Sequence, residues 1–212
     1  GSGGLLYAVR TDLFLSECVL LGDDFGGDSF HAGTVQAVSD TGRRIIRYND
    51  GFMEAGRHFL RGDEDSIGGF VDRETRHECG HPVVNFMADQ NCLSLMDMVS
   101  YERRHNEYNG ENNMDGRRYN ISFNCGAEGK TKREIVLRER KKMVKNALAM
   151  VFLSASVPML IAGDELGMSH GGNNNPYCHD DEINYIDWAL LEKNSDLYEF
   201  TRRLIQFRKE HP

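Results

Sequence analysis

Four times along the chain a short apolar run ends in polar or acidic residues and leads through a loop into a stretch with helical spacing. The runs are Leu13-Phe14-Leu15, residues 43–48 (RRIIRY), residues 82–87 (PVVNFM) and residues 158–162 (PMLIA). Strand–loop–helix units joined by right-handed crossovers put the strands parallel and the helices outside. A closed α/β barrel needs eight such strands and roughly 250 residues. This chain offers about half of them in 212 residues. The fold class expected is therefore α/β, as a partial TIM-type barrel of about four parallel strands with outer helices.

The intervening stretches fill in the pattern. Residues 52–60 place Phe52, Ala55 and Phe59 at helical spacing and stop near Gly62. Residues 66–81 read as loop with a short helix, and residues 93–101 as another short helix. Residues 106–129 form a long loop rich in Asn and Gly, a length usually tied to function or disorder. Thr131 and Glu134 match a capping box, with Ile135, Met143, Ala147, Met150 and Val151 as the apolar stripe of the helix that follows. A last helix over residues 195–209 presents Leu197, Phe200, Leu204 and Phe207 on one face, and its C-terminal half carries Arg202, Arg203, Arg208 and Lys209. Residues 1–4, Gly-Ser-Gly-Gly, read as a cloning remnant, and residues 5–212 as a single domain.

Charge and cysteine usage exclude several classes. The net charge is -8 and no Lys/Arg run is interleaved with aromatics, so a nucleic-acid partner is not expected. No apolar run reaches membrane-spanning length. Five widely spaced cysteines without a C-x-x-C pair argue against zinc and against a disulfide framework, and favour a reducing, cytoplasmic setting. No metal and no cofactor is expected. Asp180, Asp181 and Glu182 lack the alternating ligands of a calcium loop and read instead as acids at a helix N-terminus before Trp188.

The densest chemistry lies in residues 158–188, PMLIAGDELGMSHGGNNNPYCHDDEINYIDW. An apolar run ending in Gly163, Asp164 and Glu165, followed by an amide-rich loop, is how α/β barrels build the end where ligands sit. Asn173, Asn174 and Asn175 donate and accept hydrogen bonds without charge, as sugar hydroxyls require, and Tyr177 or Trp188 offers a face for stacking. The same residues also suit a turn cluster at a strand end. Both readings stand at this level.

Several runs carry a resemblance. VNFMADQNCLSLMDMVSYERRHNEYNGENNMDG, YNISFNCGAEG, PMLIAGDELG, GNNNPYCHDDEINYIDW and RYNDGFMEAGRHFLRGDE resemble the glycogen-debranching, isoamylase and pullulanase branch of the α-amylase superfamily, the family 13 glycoside hydrolases. The match is collinear from about Leu13 to Pro212. It implies that the four strands are the fifth to eighth of the family barrel and that the partner is an α-glucan with α-1,4 and α-1,6 bonds. It also implies a retaining mechanism with two carboxyl groups about 5–5.5 Å apart. By resemblance the general acid falls on Glu17, the nucleophile on a strand upstream of this stretch, and a third carboxylate on a His-Asp pair that here reads Gln90-Asn91.

That departure matters for the chemistry. Asn91 is nearly isosteric with Asp but cannot place negative charge beside an oxocarbenium-like centre, where preorganised electrostatics usually contributes most to catalysis. Gln90 lacks the tunable charge of an imidazole. Hydrolysis by this chain alone is not expected. Residual, weak sugar contact falls by resemblance on Asn109, Glu111, Asn112 and Asn113 in one loop, on Asn173, Asn174, Asn175 and Tyr177 in another, and on Asp164 and Glu165. Loop scaffolding by these same residues is the other reading. Sheet edges and an inner face left uncovered would favour a homodimer built through strand residues, the alternative being a non-catalytic glucan-binding or oligomerising module.

Overall fold

The computed structural model describes residues 8, 11–15, 18–22, 45–75 and 83–211. Its centre is a four-stranded, all-parallel sheet of β1 (Leu20–Gly22), β2 (Ile45–Tyr48), β3 (Val83–Asn85) and β4 (Val157–Pro158), in that spatial order. Leu20 pairs with Ile45, Arg47 with Val83, and Val84 with Val157. Parallel strands need crossovers, and helices supply two of them. Between β2 and β3 lie α1 (Asp50–Arg61) and α2 (Ser66–Thr75), and between β3 and β4 lie α3 (Leu95–Met98) and α4 (Glu134–Leu153). After β4 come α5 (Leu190–Lys193) and α6 (Ser195–Glu210).

Local chemistry explains α1 well. The Asn49 side chain accepts from the Phe52 N–H at its start, and Gly62 closes it in the left-handed region at φ 80°. Phe52 and Phe59 both meet Phe70 of α2, at 5.7 and 5.2 Å between ring centroids. The core continues through Met87, Leu95, Met98 and Val99 to Val144, Ala147, Leu148 and Val151 of α4 and Leu197 of α6.

Four expectations need correction. Leu13-Phe14-Leu15 is no strand: the Asp12 carboxylate accepts from the N–H of Phe14 and of Leu15, both at 2.9 Å, and folds the segment into a turn with Leu13 and Phe14 exposed. The first strand comes later, at Leu20. The capping box at Thr131 does not form either. Thr131 Oγ1 accepts from the Arg133 N–H, and α4 begins at Glu134 without a side-chain cap. Its buried stripe runs through Val136, Arg140, Val144, Ala147 and Val151, so Ile135 faces solvent. The stripe shifts because Arg140 is buried, its guanidinium donating to the carbonyls of Gly129 and Asn124 at 2.7 and 3.1 Å. Finally, the fourth strand is Val157–Pro158, and Met159 to Ala162 leave it directly.

The other expectations agree with the structure or extend it. The last helix starts at Ser195 as expected, with Leu197 buried and Phe200 and Leu204 packed on the core, while Phe207 is about half exposed. The long 106–129 loop holds one 3-10 turn, Glu107–Asn109. Helix α2 is longer than the short helix expected there.

Candidate functional site

Strand β2 ends at Tyr48, and the next residue, Asn49, both caps α1 and donates to Asn85 Oδ1 of β3 at 2.8 Å. Asn85 in turn donates to Ser154 Oγ at 3.1 Å, tying the C-terminal end of the sheet to the end of α4. Tyr48 packs edge-on against Phe86 at 5.7 Å. The backbone then turns sharply after β3. Asp89 Oδ1 accepts from the Asn91 N–H at 2.9 Å, and the Cys92 N–H donates to the Asp89 carbonyl at 3.3 Å.

Beneath this turn lies Arg57 of α1, fully buried. Its guanidinium donates to Met87 O through Nε at 2.9 Å, to Leu93 O at 3.1 Å, to Cys92 Sγ at 3.2 Å and to Asn120 O at 2.7 Å. Burial pushes the Cys92 thiol up to about 12, so it stays neutral. Arg57 makes no ion pair among the described residues. Carbonyl oxygens and the Cys92 sulfur take up its donors, and three separate backbone segments are held in register.

Above the turn a cavity of about 450 Å³ opens at the C-terminal ends of β2 and β3. Tyr48, Asp50 and Glu54 line one side, Asp89, Gln90 and Asn91 a second, and Arg117 with Tyr119 a third. Arg117 donates to Asp50 Oδ1 at 3.1 Å and stands 3.9 Å from Glu54. Gln90 and Asn91 are exposed at the mouth, whereas Asp89 is buried beside them. Asp50, Glu54, Asp89, Arg117 and Tyr119 were missed in the sequence. Their signal was there for two of them: Asp50 and Asp89 are acids just past the ends of apolar strand runs.

The amide-rich loops form a second assembly. Asn174 N–H donates to Asn106 Oδ1 at 3.0 Å, and Asn106 Nδ2 returns a bond to Asn174 Oδ1 at 2.9 Å. Asn174 Nδ2 also donates to Asn120 Oδ1 and Arg117 O, both at 2.8 Å. Asn173 Nδ2 donates to Asn109 Oδ1 at 2.6 Å, and Asn109 and Asn175 both donate to Asp115 Oδ2, at 2.7 and 2.8 Å. Burial works against the Asp115 charge, but these two amides outweigh it and hold the carboxyl below its usual range. Gly116 sits at φ +70°, and a Cβ there would come within 2.2 Å of Asn174 Oδ1. Asn113 Oδ1 accepts from the Asn106 N–H, and Asn112 and Asn113 both hold positive φ.

The remaining expected residues are dispersed. Asp164 is buried away from solvent, accepting from the Leu95 N–H at 2.8 Å at the start of α3, and burial pushes it up to about 7. Glu165 accepts from the Gly163 N–H at 2.9 Å. Glu111, Asn112 and Tyr177 are exposed, Tyr177 at 78%. Glu17 lies outside the described residues. Asp180, Asp181 and Glu182 do not precede a helix: Asp181 Oδ1 accepts from the Ile183 N–H and its carbonyl from Asn184 and Tyr185, making a turn, and α5 begins only at Leu190. Among the described residues no group of three or more His, Cys, Asp or Glu could hold a metal ion, and no helix is long and apolar enough to cross a membrane.

No family model matches the chain. Relatives do. The glycogen operon protein GlgX homolog of Mycobacterium tuberculosis is 38% identical over 213 residues, covering 96% of this chain and 29% of its own length. Isoamylase SU1, chloroplastic, of Zea mays is 40% identical over 174 residues, covering 81% of this chain and 21% of its own length. The chain belongs to the glycogen-debranching, isoamylase and pullulanase branch of the α-amylase superfamily. It spans only about three tenths of the length of the bacterial relatives. In fold it is similar to pullulanase type I from Bacillus subtilis, solved with maltose, at a TM-score of 0.67 and 18% identity over 98% of this chain and 28% of that one. This branch member thus carries its Gln90-Asn91 pair at the rim of the cavity above β2 and β3.

Proposed function

We propose that this chain is the C-terminal half of a debranching-type catalytic barrel and that it binds α-glucan at the β2–β3 mouth without cleaving it. The observation that carries the reading is the placement of Gln90 and Asn91, two neutral amides, in the wall of a cavity of about 450 Å³ at the C-terminal ends of β2 and β3. The sequential order β1-β2-β3-β4, each strand parallel to the next, supports reading them as the family's fifth to eighth strands. On that reading the general-acid position remains Glu17, three residues before β1 in sequence.

A structural neighbour complexed with maltose supports the ligand class. A cytoplasmic setting fits the free cysteines Cys18, Cys92, Cys125 and Cys178. The sheet edges support self-association as a second role: Leu21 of β1 and Val157 of β4 are 45% and 44% exposed, and unpaired edges invite another chain. Reducing-sugar release from glycogen and pullulan, with maltotriose titration in parallel, tests the whole. Binding in the millimolar range without release is expected. Release well above that of a Glu54→Gln, Asp89→Asn double variant would overturn the non-hydrolytic reading.

A further inference from the structure

The cavity is not short of carboxylates even though Asn91 is neutral. Asp50 and Glu54 share the Arg117 guanidinium, at 3.1 and 3.9 Å, and both keep about half of their side chains open to water. Asp89 is different. It lines the same cavity, is 7% exposed, and makes no ion pair among the described residues. Its Oδ1 is held by the Asn91 N–H at 2.9 Å, and its own N–H donates to Cys92 Sγ at 3.1 Å. The segment on which it rides is clamped from below by Arg57 through Met87 O, Leu93 O and Cys92 Sγ. Arg117 lies close enough to feel the Asp89 charge but makes no contact with it. A carboxylate that is buried, fixed in direction and not bonded to a cation is an acceptor prepared in advance for a donor from outside.

We propose that Asp89 is the sugar-contacting carboxylate of this site, accepting hydrogen bonds from the hydroxyls of an α-linked glucose unit. The acid that the resemblance puts at position 91 is thereby supplied from two residues upstream on the same turn. A carboxylate accepts from two adjacent hydroxyls at once, one through each oxygen, and the guanidinium and phenol of Arg117 and Tyr119 face the same space to complete a ring of partners. This assignment rests on the glucan-binding reading above and names the residue responsible for it.

The test is a titration of the 212-residue chain with maltotriose, followed by backbone amide and side-chain amide shifts, in the wild type and in Asp89→Asn. Asn keeps an oxygen for the Asn91 N–H, so the turn is retained while the charge is lost. The assignment predicts saturation of the wild type, perturbation centred on residues 89–91, and an affinity about tenfold or more weaker in the variant. Equal affinity in a variant that melts with the wild type would overturn the role of Asp89 and leave glucan binding intact. Should the variant fail to fold, the wild-type shifts decide alone: perturbation confined to residues 173–179 overturns the assignment. No shift in the wild type at any maltotriose concentration overturns the glucan-binding reading, and the assignment with it.

Discussion

The β2–β3 mouth and the asparagine lock are built from the same kinds of residue and end in opposite conditions. In the lock, Asn106, Asn109, Asn173, Asn174 and Asn175 direct their amides at one another and at Asp115. Asn106 and Asn174 are fully buried, and Asp115 Oδ1 is the one buried side-chain oxygen of the lock left without a partner. At the mouth, Gln90 and Asn91 are exposed, and Asp89 faces the cavity without an ion pair among the described residues. Polar composition alone does not mark a binding surface. What marks it is hydrogen-bonding capacity left over after the protein has satisfied itself.

The largest effect that bears on this contrast belongs to Arg57, which touches both regions through Met87 O and Asn120 O. Arg57→Met leaves buried carbonyls without donors, and a loss of about 3–5 kcal/mol of stability is expected. Urea denaturation measures it, and a loss below about 1 kcal/mol would break the view of Arg57 as a shared clamp. Next comes Asn174→Ala, which orphans partners at Asn106, Asn120 and Arg117 O. It should cost about 2–3 kcal/mol, and Gly116→Ala, which strains φ and collides with the same amide, should cost a similar amount.

A third test uses pH. Asp164 is raised to about 7 by burial, above its unfolded value near 3.9. The folded state therefore holds the proton more tightly. The contribution of this group is fully present below about pH 4 and is lost as pH rises through about 7. Relative to Asp164→Asn, which keeps an acceptor for the Leu95 N–H, the wild type should lose stability across that window. Thermal melts of both proteins at intervals from about pH 4 to 8 check it, and parallel curves would contradict the assignment. The smallest effect is at the mouth itself. Gln90→Ala and Asn91→Ala remove exposed side chains and should change stability by less than about 0.5 kcal/mol. A change as large as that of Asn174→Ala would erase the distinction between the two regions.

How much of this was legible depended on the range of the interaction. Helix α1 was readable because its period, its Asn49 cap and its Gly62 stop are all local. The parallel sheet followed from the alternation of elements. Local signals misled where a nearer partner intervened: Asp12 captures the 13–15 run into a turn, and Thr131 bonds Arg133 where the capping box would need the N–H of Glu134. The phase of α4 was hidden because a buried Arg140 has no hydropathic signature. The lock was visible only as composition, since Asn106 and Asn174 meet across 68 residues. Asp89 was overshadowed by the Gln90-Asn91 departure beside it, because only the fold shows which of the three side chains is buried.

Pro158 closes the sheet with an asymmetry. It pairs with Asn85 on the inner side of β4, where the Met159 N–H completes the ladder to Asn85 O at 2.9 Å. Backbone groups alternate sides along a strand, so the donor that Pro158 lacks is the one that would point outward. A strand arriving at that flank finds no N–H waiting at that position, whereas β1 at the opposite flank contains no proline. Stacking copies head to tail would consume one flank of each kind and forfeit a bond at every joint. Growth into a fibre through the β4 flank is therefore discouraged at each added copy.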